Sequence, residues 1–308
     1  MRVVVTGGAG FVGSHLADAL LARGDEVLVV DNLASGKRTN VPASAEFTEL
    51  DVADAATLRR RLETFRPHLI CHLAAQASVT VSVANPDLDF ASNVRGTFNV
   101  CQATRAVGAR VLFASTGGAL YGNEAPIPTP ETYVAQPLSP YGASKQAAEA
   151  FVATQARSNE LAHVILRLGN VYGPRQDAHG EAGVVAIFSD RLLRGDTPVA
   201  YGYGKPTRDY VHVADVVRAF LLAADNDVTG TFNVGHGKEV SVLELLDVLR
   251  RAAGKSVEPQ LEPLRPGELD RSAIDSSAAA AAFGWRPEVS LDEGVAETFR
   301  WYAETQAR

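Results

Sequence analysis

The stretch Val3 to Gly13, VVVTGGAGFVG, admits few folds. Three valines followed by Thr-Gly-Gly, with Gly7, Gly10 and Gly13 spaced three apart, predict a buried strand turning directly into a helix. In such a turn Gly7 allows the sharp bend, Gly10 lets backbone approach a pyrophosphate, and Gly13 lets the helix pack closely on the strand. The helix continues as SHLADALLARG, with Leu16, Ala19 and Leu20 on one apolar stripe and Gly24 closing it. Its N-terminal N–H groups and positive dipole end would face the ligand.

Glycine turns of this kind also occur for purely structural reasons, so the surroundings matter. A second apolar strand, Glu26 to Val30, ends at Asp31, about twenty residues beyond the glycines, where the dinucleotide fold binds the adenosine ribose. A carboxylate there accepts the ribose 2'-hydroxyl and repels a 2'-phosphate, which favours NAD over NADP. Lys37 and Arg38 lie nearby, so a 2'-phosphate partner stays open.

From there strands and helices alternate. Strands are predicted at Glu46–Leu50, Leu69–Leu73 and Val111–Ser115, with helices at Ala55–Phe65 and Asp87–Val107 between them. This alternation predicts a Rossmann-type α/β fold, a doubly wound parallel sheet whose ligands sit at the carboxyl ends of the strands. Asp31, Asp51, the Ala74-Ala75-Gln76 segment and Ser115-Thr116 would then line one crevice. Further strands are expected at His163–Leu168, Tyr210–Val213 and Thr231–Val234, the last two flanking a helix at Ala214–Ala224 and returning to the main sheet. Helices at Val242–Ala252 and Leu291–Thr305 follow, the latter with Val295, Phe299 and Tyr302 as core, and the alanine run Ala278–Ala282 fits another. The substrate part is thus expected to be a smaller α/β domain interleaved with the first: 1–170 plus about 208–238 for the dinucleotide, about 171–207 plus 239–308 for the substrate.

In LSPYGASKQ, Ser139 caps a helix that Pro140 begins, and Tyr141 and Lys145 fall one turn apart on one face. A free phenol titrates near 10, so using it as a base at neutral pH takes about 4 kcal/mol of differential stabilisation of the phenolate. A neighbouring lysine and a positive nicotinamide ring are sources of it. Beside a dinucleotide fold, a tyrosine and lysine in this relation are a candidate catalytic pair.

TGGAGFVGSH, DNLASGKR, HLAAQASV, the Asn93 helix, STGGALYG and YGASK, in that order, resemble the extended short-chain dehydrogenase/reductase family, and within it the nucleotide-sugar 4-epimerases that act on UDP-glucose. The resemblance runs on to RPGELDRS and GWRP near the end. It implies NAD as cofactor, held by Gly7, Gly10, Phe11, Val12, Gly13, Asp31, Asn32, Ser35, Gly36, Asp51, Val52, Ala74, Ala75, Gln76, Asn93, Ser115, Tyr141 and Lys145. It implies that Tyr141 takes the sugar 4-hydroxyl proton, that Lys145 holds the nicotinamide ribose and lowers the phenol, and that the reaction runs through a 4-keto sugar. Asn170, Val184, Arg208, Arg265 and Ser272, with Thr116 and Tyr141, would bind the UDP-sugar. The two arginines would hold its pyrophosphate, and the small Ser272 would leave room for N-acetylated sugars. A homodimer pairing the helices after Asp87 and Pro140 is also implied.

The chain departs from the family at one point. The usual catalytic Ser or Thr stands four residues before the tyrosine of the YG motif; that motif is Tyr121-Gly122 here, and the position is Gly117. Thr116, one residue earlier, or a water is the expected substitute. Related dehydratases and decarboxylases carry carboxylates just beyond the hydroxyl, where this chain has Gly118 and Ala119, which favours simple epimerisation. A uronate epimerase, decarboxylase or ketoreductase is the nearest alternative enzyme, and a non-catalytic NAD-binding regulator the alternative of another class.

Composition sets the outer limits. A net charge of -7 without a basic cluster argues against nucleic acid as a partner. No apolar run reaches membrane-spanning length. Cys71 and Cys101 lack metal spacing and follow no recognisable secretion signal, so reduced core thiols in the cytoplasm are expected. His179 and Glu181 sit in a loop without metal spacing and read as solvated; no metal is expected.

Overall fold

The computed structural model describes residues 1–159, 161–178 and 183–306; His179 and Glu181 therefore lie outside the described residues. The opening valines form β1 (Arg2–Thr6), which turns into α1 (Phe11–Ala22) and is followed by β2 (Glu26–Asp31), β3 (Glu46–Glu49), α2 (Ala55–Phe65) and β4 (Leu69–His72). Next come the short α3 (Val79–Ala84) and α4 (Pro86–Asp89), then α5 (Gly96–Val107), β5 (Arg110–Thr116), α6 (Pro140–Asn159) and β6 (His163–Leu168). Together with β11 (Gly230–Val234), described below, these strands make a seven-stranded sheet in the order β11-β6-β5-β4-β1-β2-β3. Every neighbouring pair is parallel.

The parallel sheet dictates its own composition: covered on both faces, its strands read as unbroken apolar runs. Val3 and Val5 of β1 pack toward α1, while Val4 faces the opposite core with Leu58 and Leu62 of α2. The turn into α1 shows why glycine is needed there. Gly7 adopts φ +71°, and a Cβ on Gly13 would stand 2.2 Å from the Gly7 carbonyl oxygen.

The later elements are β7 (Asn170–Tyr172), α7 (Val184–Arg194), β8 (Val199–Tyr201), β9 (Thr207–Arg208), β10 (Tyr210–His212) and α8 (Val213–Asp225), which precedes β11. After β11 come β12 (Val240–Ser241), α9 (Val242–Ala253), β13 (Gln260–Glu262), α10 (Ser277–Phe283) and α11 (Leu291–Gln306). Of the two strands expected back in the main sheet only β11 joins it; β10 pairs with β7 in a separate two-stranded sheet. The reason is packing: Tyr210 and Tyr172 belong to a core of their own with Phe188, Leu245, Leu249, Val295 and Phe299.

The helix expected over Asp87–Val107 is helical throughout but not uniform. Phe90–Arg95 winds as a π-helix between α4 and α5. A π turn displaces the residues within it from the ordinary helical face, and such turns gather at functional sites; this one holds Asn93.

Candidate active site

The predicted cofactor residues collect at the carboxyl ends of the sheet strands. Gly10 caps α1 without any side-chain hydrogen bond, and no acidic residue stands in the first turn, so the leading N–H groups of α1 are open to an anion. Asp31, buried at the end of β2, accepts the N–H groups of Ala9 at 2.9 Å and Leu33 at 2.8 Å, which fixes its carboxylate beside the glycine turn. Asn32 donates to Asp51 Oδ2 at 2.9 Å and ties the loops after β2 and β3 together. Ser35 and Gly36 continue the same loop. Lys37 and Arg38 are both engaged elsewhere: Lys37 Nζ lies 3.2 Å from Asp177, and the Arg38 guanidinium stacks 4.6 Å from the centre of the Phe47 ring.

After β4 the chain passes Ala74 and Ala75, and Gln76 enters a buried polar cluster. Asn93 Nδ2 donates to the Gln76 carbonyl at 2.9 Å, to Asp89 Oδ1 at 3.1 Å and to Ser144 Oγ at 3.0 Å, and Asn93 Oδ1 accepts the Gln76 N–H at 2.8 Å. Gln76 Nε2 donates to Asp89 at 2.8 Å. The π turn thus clamps the loop after β4 to the first turn of α6, which carries Tyr141. Asp89 and Ser144 were not singled out in the sequence, although Asp89 stands four residues before Asn93, a spacing that would have placed it on the same helical face.

On α6, Ser139 receives the Gly142 N–H at 3.2 Å, as its capping position requires. Thr116, at the end of β5, stands near enough to the Tyr141 phenol for its hydroxyl to act on it as a donor. Burial pushes that phenol up to about 12, with the Thr116 bond pulling it down and the Asp89 charge pushing it up. The sequence led us to expect a phenol lowered by Lys145. The Lys145 ammonium donates to the Ala114 carbonyl at 2.9 Å and sits 4.8 Å from the centre of the Phe113 ring. Burial brings Lys145 down to about 8, against the Asp89 and Glu149 carboxylates, which raise it.

Ser115 lies at this site, but its hydroxyl donates to Glu149 Oε1 at 2.5 Å. Glu149, one turn after Lys145, also takes both nitrogens of the Arg167 fork, at 2.9 and 2.7 Å, and Arg167 donates to the Tyr121 hydroxyl at 2.9 Å. This buried ion pair escaped the sequence reading; the Lys145–Glu149 spacing was its one signal.

The structure gives a physical reason for the glycines that follow Thr116. A Cβ on Gly117 would stand 2.7 Å from Ile274 Cδ1, and one on Gly118 would stand 2.8 Å from Asn170 Oδ1. Ile274 and Asn170 occupy the volume that longer side chains would need. Asn170 Oδ1 is itself buried without a hydrogen-bond partner, a polar atom aimed at the turn and open to a ligand donor. Ser272 is buried two residues before Ile274, so the chain segment carrying it lies against the same turn.

The remaining predicted substrate residues are placed as follows. Val184 begins α7. Arg208 donates to the Thr207 carbonyl at 2.8 Å. Arg265 pairs with Glu268, Nε to Oε1 at 2.9 Å, and its guanidinium stacks 4.6 Å from the Tyr201 ring centre. Cys71 and Cys101 are free and buried, and burial raises both thiols to about 12. Among the described residues no group of His, Cys, Asp and Glu side chains is arranged to hold a metal ion, and no helix is long and apolar enough to cross a membrane.

A doubly wound sheet, an open helix N-terminus, an acidic residue ending β2 and a tyrosine one helical turn before a buried lysine define a dinucleotide-dependent enzyme of the extended short-chain dehydrogenase/reductase type. The chain belongs to the NAD-dependent epimerase/dehydratase family, which residues 3–235 match; its cofactor is NAD. It is 44% identical over 309 residues to the UDP-glucose 4-epimerase of Mycolicibacterium smegmatis, with 98% of each chain covered. It superposes with a TM-score of 0.98 on the UDP-glucose 4-epimerase of Thermotoga maritima crystallised with UDP-glucose, at 43% identity and covering 99% of this chain and 100% of that one. With the Thermus thermophilus UDP-glucose 4-epimerase in complex with NAD the TM-score is 0.94 at 47% identity, over 98% and 99% of the two chains.

Proposed function

We propose that this protein interconverts UDP-glucose and UDP-galactose by reversible oxidation at sugar C4. The observation that carries the reading is the Thr116 hydroxyl acting on the Tyr141 phenol beside a turn where Ile274 and Asn170 crowd positions 117 and 118. Bound NAD supplies a reversible hydride acceptor. Gly7, Gly10, Phe11, Val12 and Gly13 would hold its pyrophosphate, Asp31 with Asn32, Ser35 and Gly36 its adenosine ribose, and Asp51 with Val52 the adenine side. Ala74, Ala75, Gln76, Asn93 and Ser115 would shape the nicotinamide end.

Tyr141 removes the proton from the sugar 4-hydroxyl and returns it when C4 is reduced from the other face. Thr116 donates its one hydroxyl proton to the phenolate, offsetting part of the burial that opposes ionisation, and to the sugar 4-oxygen once Tyr141 carries the substrate proton. Lys145, a cation below about pH 8, supplies positive charge to the ribose and the phenolate. With no second acid or base at residues 117–119, elimination and decarboxylation lack their proton carrier, and the 4-keto sugar has one route, back to the 4-hydroxyl.

Asn170, Val184, Arg208 and Arg265 would hold the nucleotide diphosphate, Arg265 by exchanging Glu268 for phosphate oxygens in the fork geometry guanidinium favours. Ser272 leaves space at the sugar, which supports turnover of the N-acetylated pair as well. Residues 1–170 with about 208–238 form the proposed cofactor unit, and the rest the sugar-nucleotide unit. Buried free thiols support a reducing, cytoplasmic setting. Phe98 of α5 and Phe151 of α6, both 38% exposed with rings 5.4 Å apart, support a homodimer through these helices.

Incubation of the purified protein with UDP-galactose tests the proposal. UDP-glucose should appear without net accumulation of reduced cofactor, and UDP-N-acetylgalactosamine should be converted too. Absence of UDP-glucose would refute the reaction; conversion of the plain sugar alone would refute the role given to Ser272.

A further inference from the structure

Asp31 is held beside the glycine turn by Ala9 and Leu33, and the loop that follows folds back onto the same Ala9. Lys37 N–H donates to the Ala9 carbonyl at 2.9 Å, and Asn40 Nδ2 donates to it at 3.1 Å. The lysine stem is therefore rooted next to the carboxylate that meets the adenosine ribose. A flexible ammonium in that place is well suited to a phosphate on the ribose 2'-oxygen. Instead it lies 3.2 Å from Asp177, a residue far away in the sequence, just after β7.

The acid's position does not depend on the lysine. Its segment is fastened to α1 by His15 Nε2 on the Pro174 carbonyl at 2.9 Å and by Arg175 on Asp18 at 2.7 Å. On the other side the Tyr302 hydroxyl of α11 donates to the Gln176 carbonyl. Arg175 sits at φ 68°, an unfavourable backbone state for a residue with a Cβ. Asp177 is thus presented by a braced segment, and Lys37 is the partner that can swing.

The geometry points to Asp177 as a cofactor-specificity residue: by engaging Lys37 and adding a second negative charge near the ribose, it discriminates against a 2'-phosphorylated dinucleotide. Asp31 repels the phosphate directly, and Asp177 acts through Lys37 by removing the nearby cation that would compensate. The inference rests on the placement of the adenosine ribose at Asp31. An exposed ion pair of this kind shifts an equilibrium by up to about fivefold, more where like-charge repulsion is relieved at the same time.

The test measures NAD+ and NADP+ affinity by titration calorimetry on the full chain freed of bound dinucleotide, for wild type, Asp31→Asn, Asp31→Asn/Asp177→Asn and the latter with Lys37→Ala. The double variant should bind NADP+ about fivefold or more tightly than Asp31→Asn alone, with NAD+ affinity unchanged, and Lys37→Ala should abolish the gain. An NADP+ affinity indifferent to Asp177→Asn, or a gain that survives Lys37→Ala, would overturn the inference. If Asp31→Asn alone leaves the NAD+/NADP+ preference untouched, the ribose placement fails instead, while the response to Asp177→Asn and Lys37→Ala still decides the role of the pair.

Discussion

The proposed reaction turns on Thr116, which we assign the role of catalytic hydroxyl because Gly117, where the family's hydroxyl stands, has none. Ile274, fully buried against Leu120 and Tyr121, fills the volume beyond Gly117, and the hydroxyl that reaches the phenol belongs to Thr116. Thr116→Val keeps the shape and removes the donor. It should lower kcat by about 10²- to 10³-fold, the usual consequence of losing one donor to a reacting oxygen, and leave KM nearly unchanged. Steady-state kinetics would show it, and unchanged turnover would remove Thr116 from the mechanism. The sequence made Thr116 the candidate but held no sign of Ile274, which lies more than a hundred residues away and meets the turn only in the folded chain.

The strand-to-helix turn and the helical segment around Asn93 differ in how far they could be foreseen. Gly7, Gly10 and Gly13 declared the turn, and at Gly7 and Gly13 the close approach of backbone to backbone leaves no space for a Cβ. Their duties can be separated: a Cβ on Gly13 would collide with the Gly7 carbonyl at 2.2 Å, whereas one on Gly10 meets that oxygen alone, at 3.2 Å. Gly13→Ala should therefore cost about 1–3 kcal/mol of stability even without cofactor. Gly10→Ala should cost less and act mainly on NAD affinity. Urea unfolding of the cofactor-free variants beside NAD titrations would reveal that division, and equal stability losses would contradict it. The π turn could not be foreseen: Phe90 to Arg95 carries a helical pattern, and the extra residue per turn is set by the bonds of Asn93 to Gln76, Asp89 and Ser144. Likewise Tyr210 to His212 read as a sheet strand, and only the aromatic core with Tyr172 explains its separate pairing.

For the molecule as a whole, the doubly wound parallel sheet followed from the βαβ alternation, since short connections and a covered parallel sheet leave few arrangements. Partners across a surface leave a weaker mark, because an exposed phenylalanine on a helix looks like any other apolar residue in the sequence. Exposed Phe98 and Phe151 lie on α5 and α6, the helices through which we propose two copies pair, and Val83, Leu88 and Phe90 are exposed on the helical segments leading into α5. Phe151→Glu would bury a charge in such an interface, and sedimentation should then find monomers where the parent gives dimers. A parent that sediments as a monomer would contradict the pairing.

The reaction assigned here requires that the hydrogen leaving C4 be the one that comes back. UDP-galactose deuterated at C4 tests this directly. UDP-glucose that retains the deuterium at C4 is the predicted result; loss of the label to water, or its transfer to another carbon of the sugar, would contradict the account.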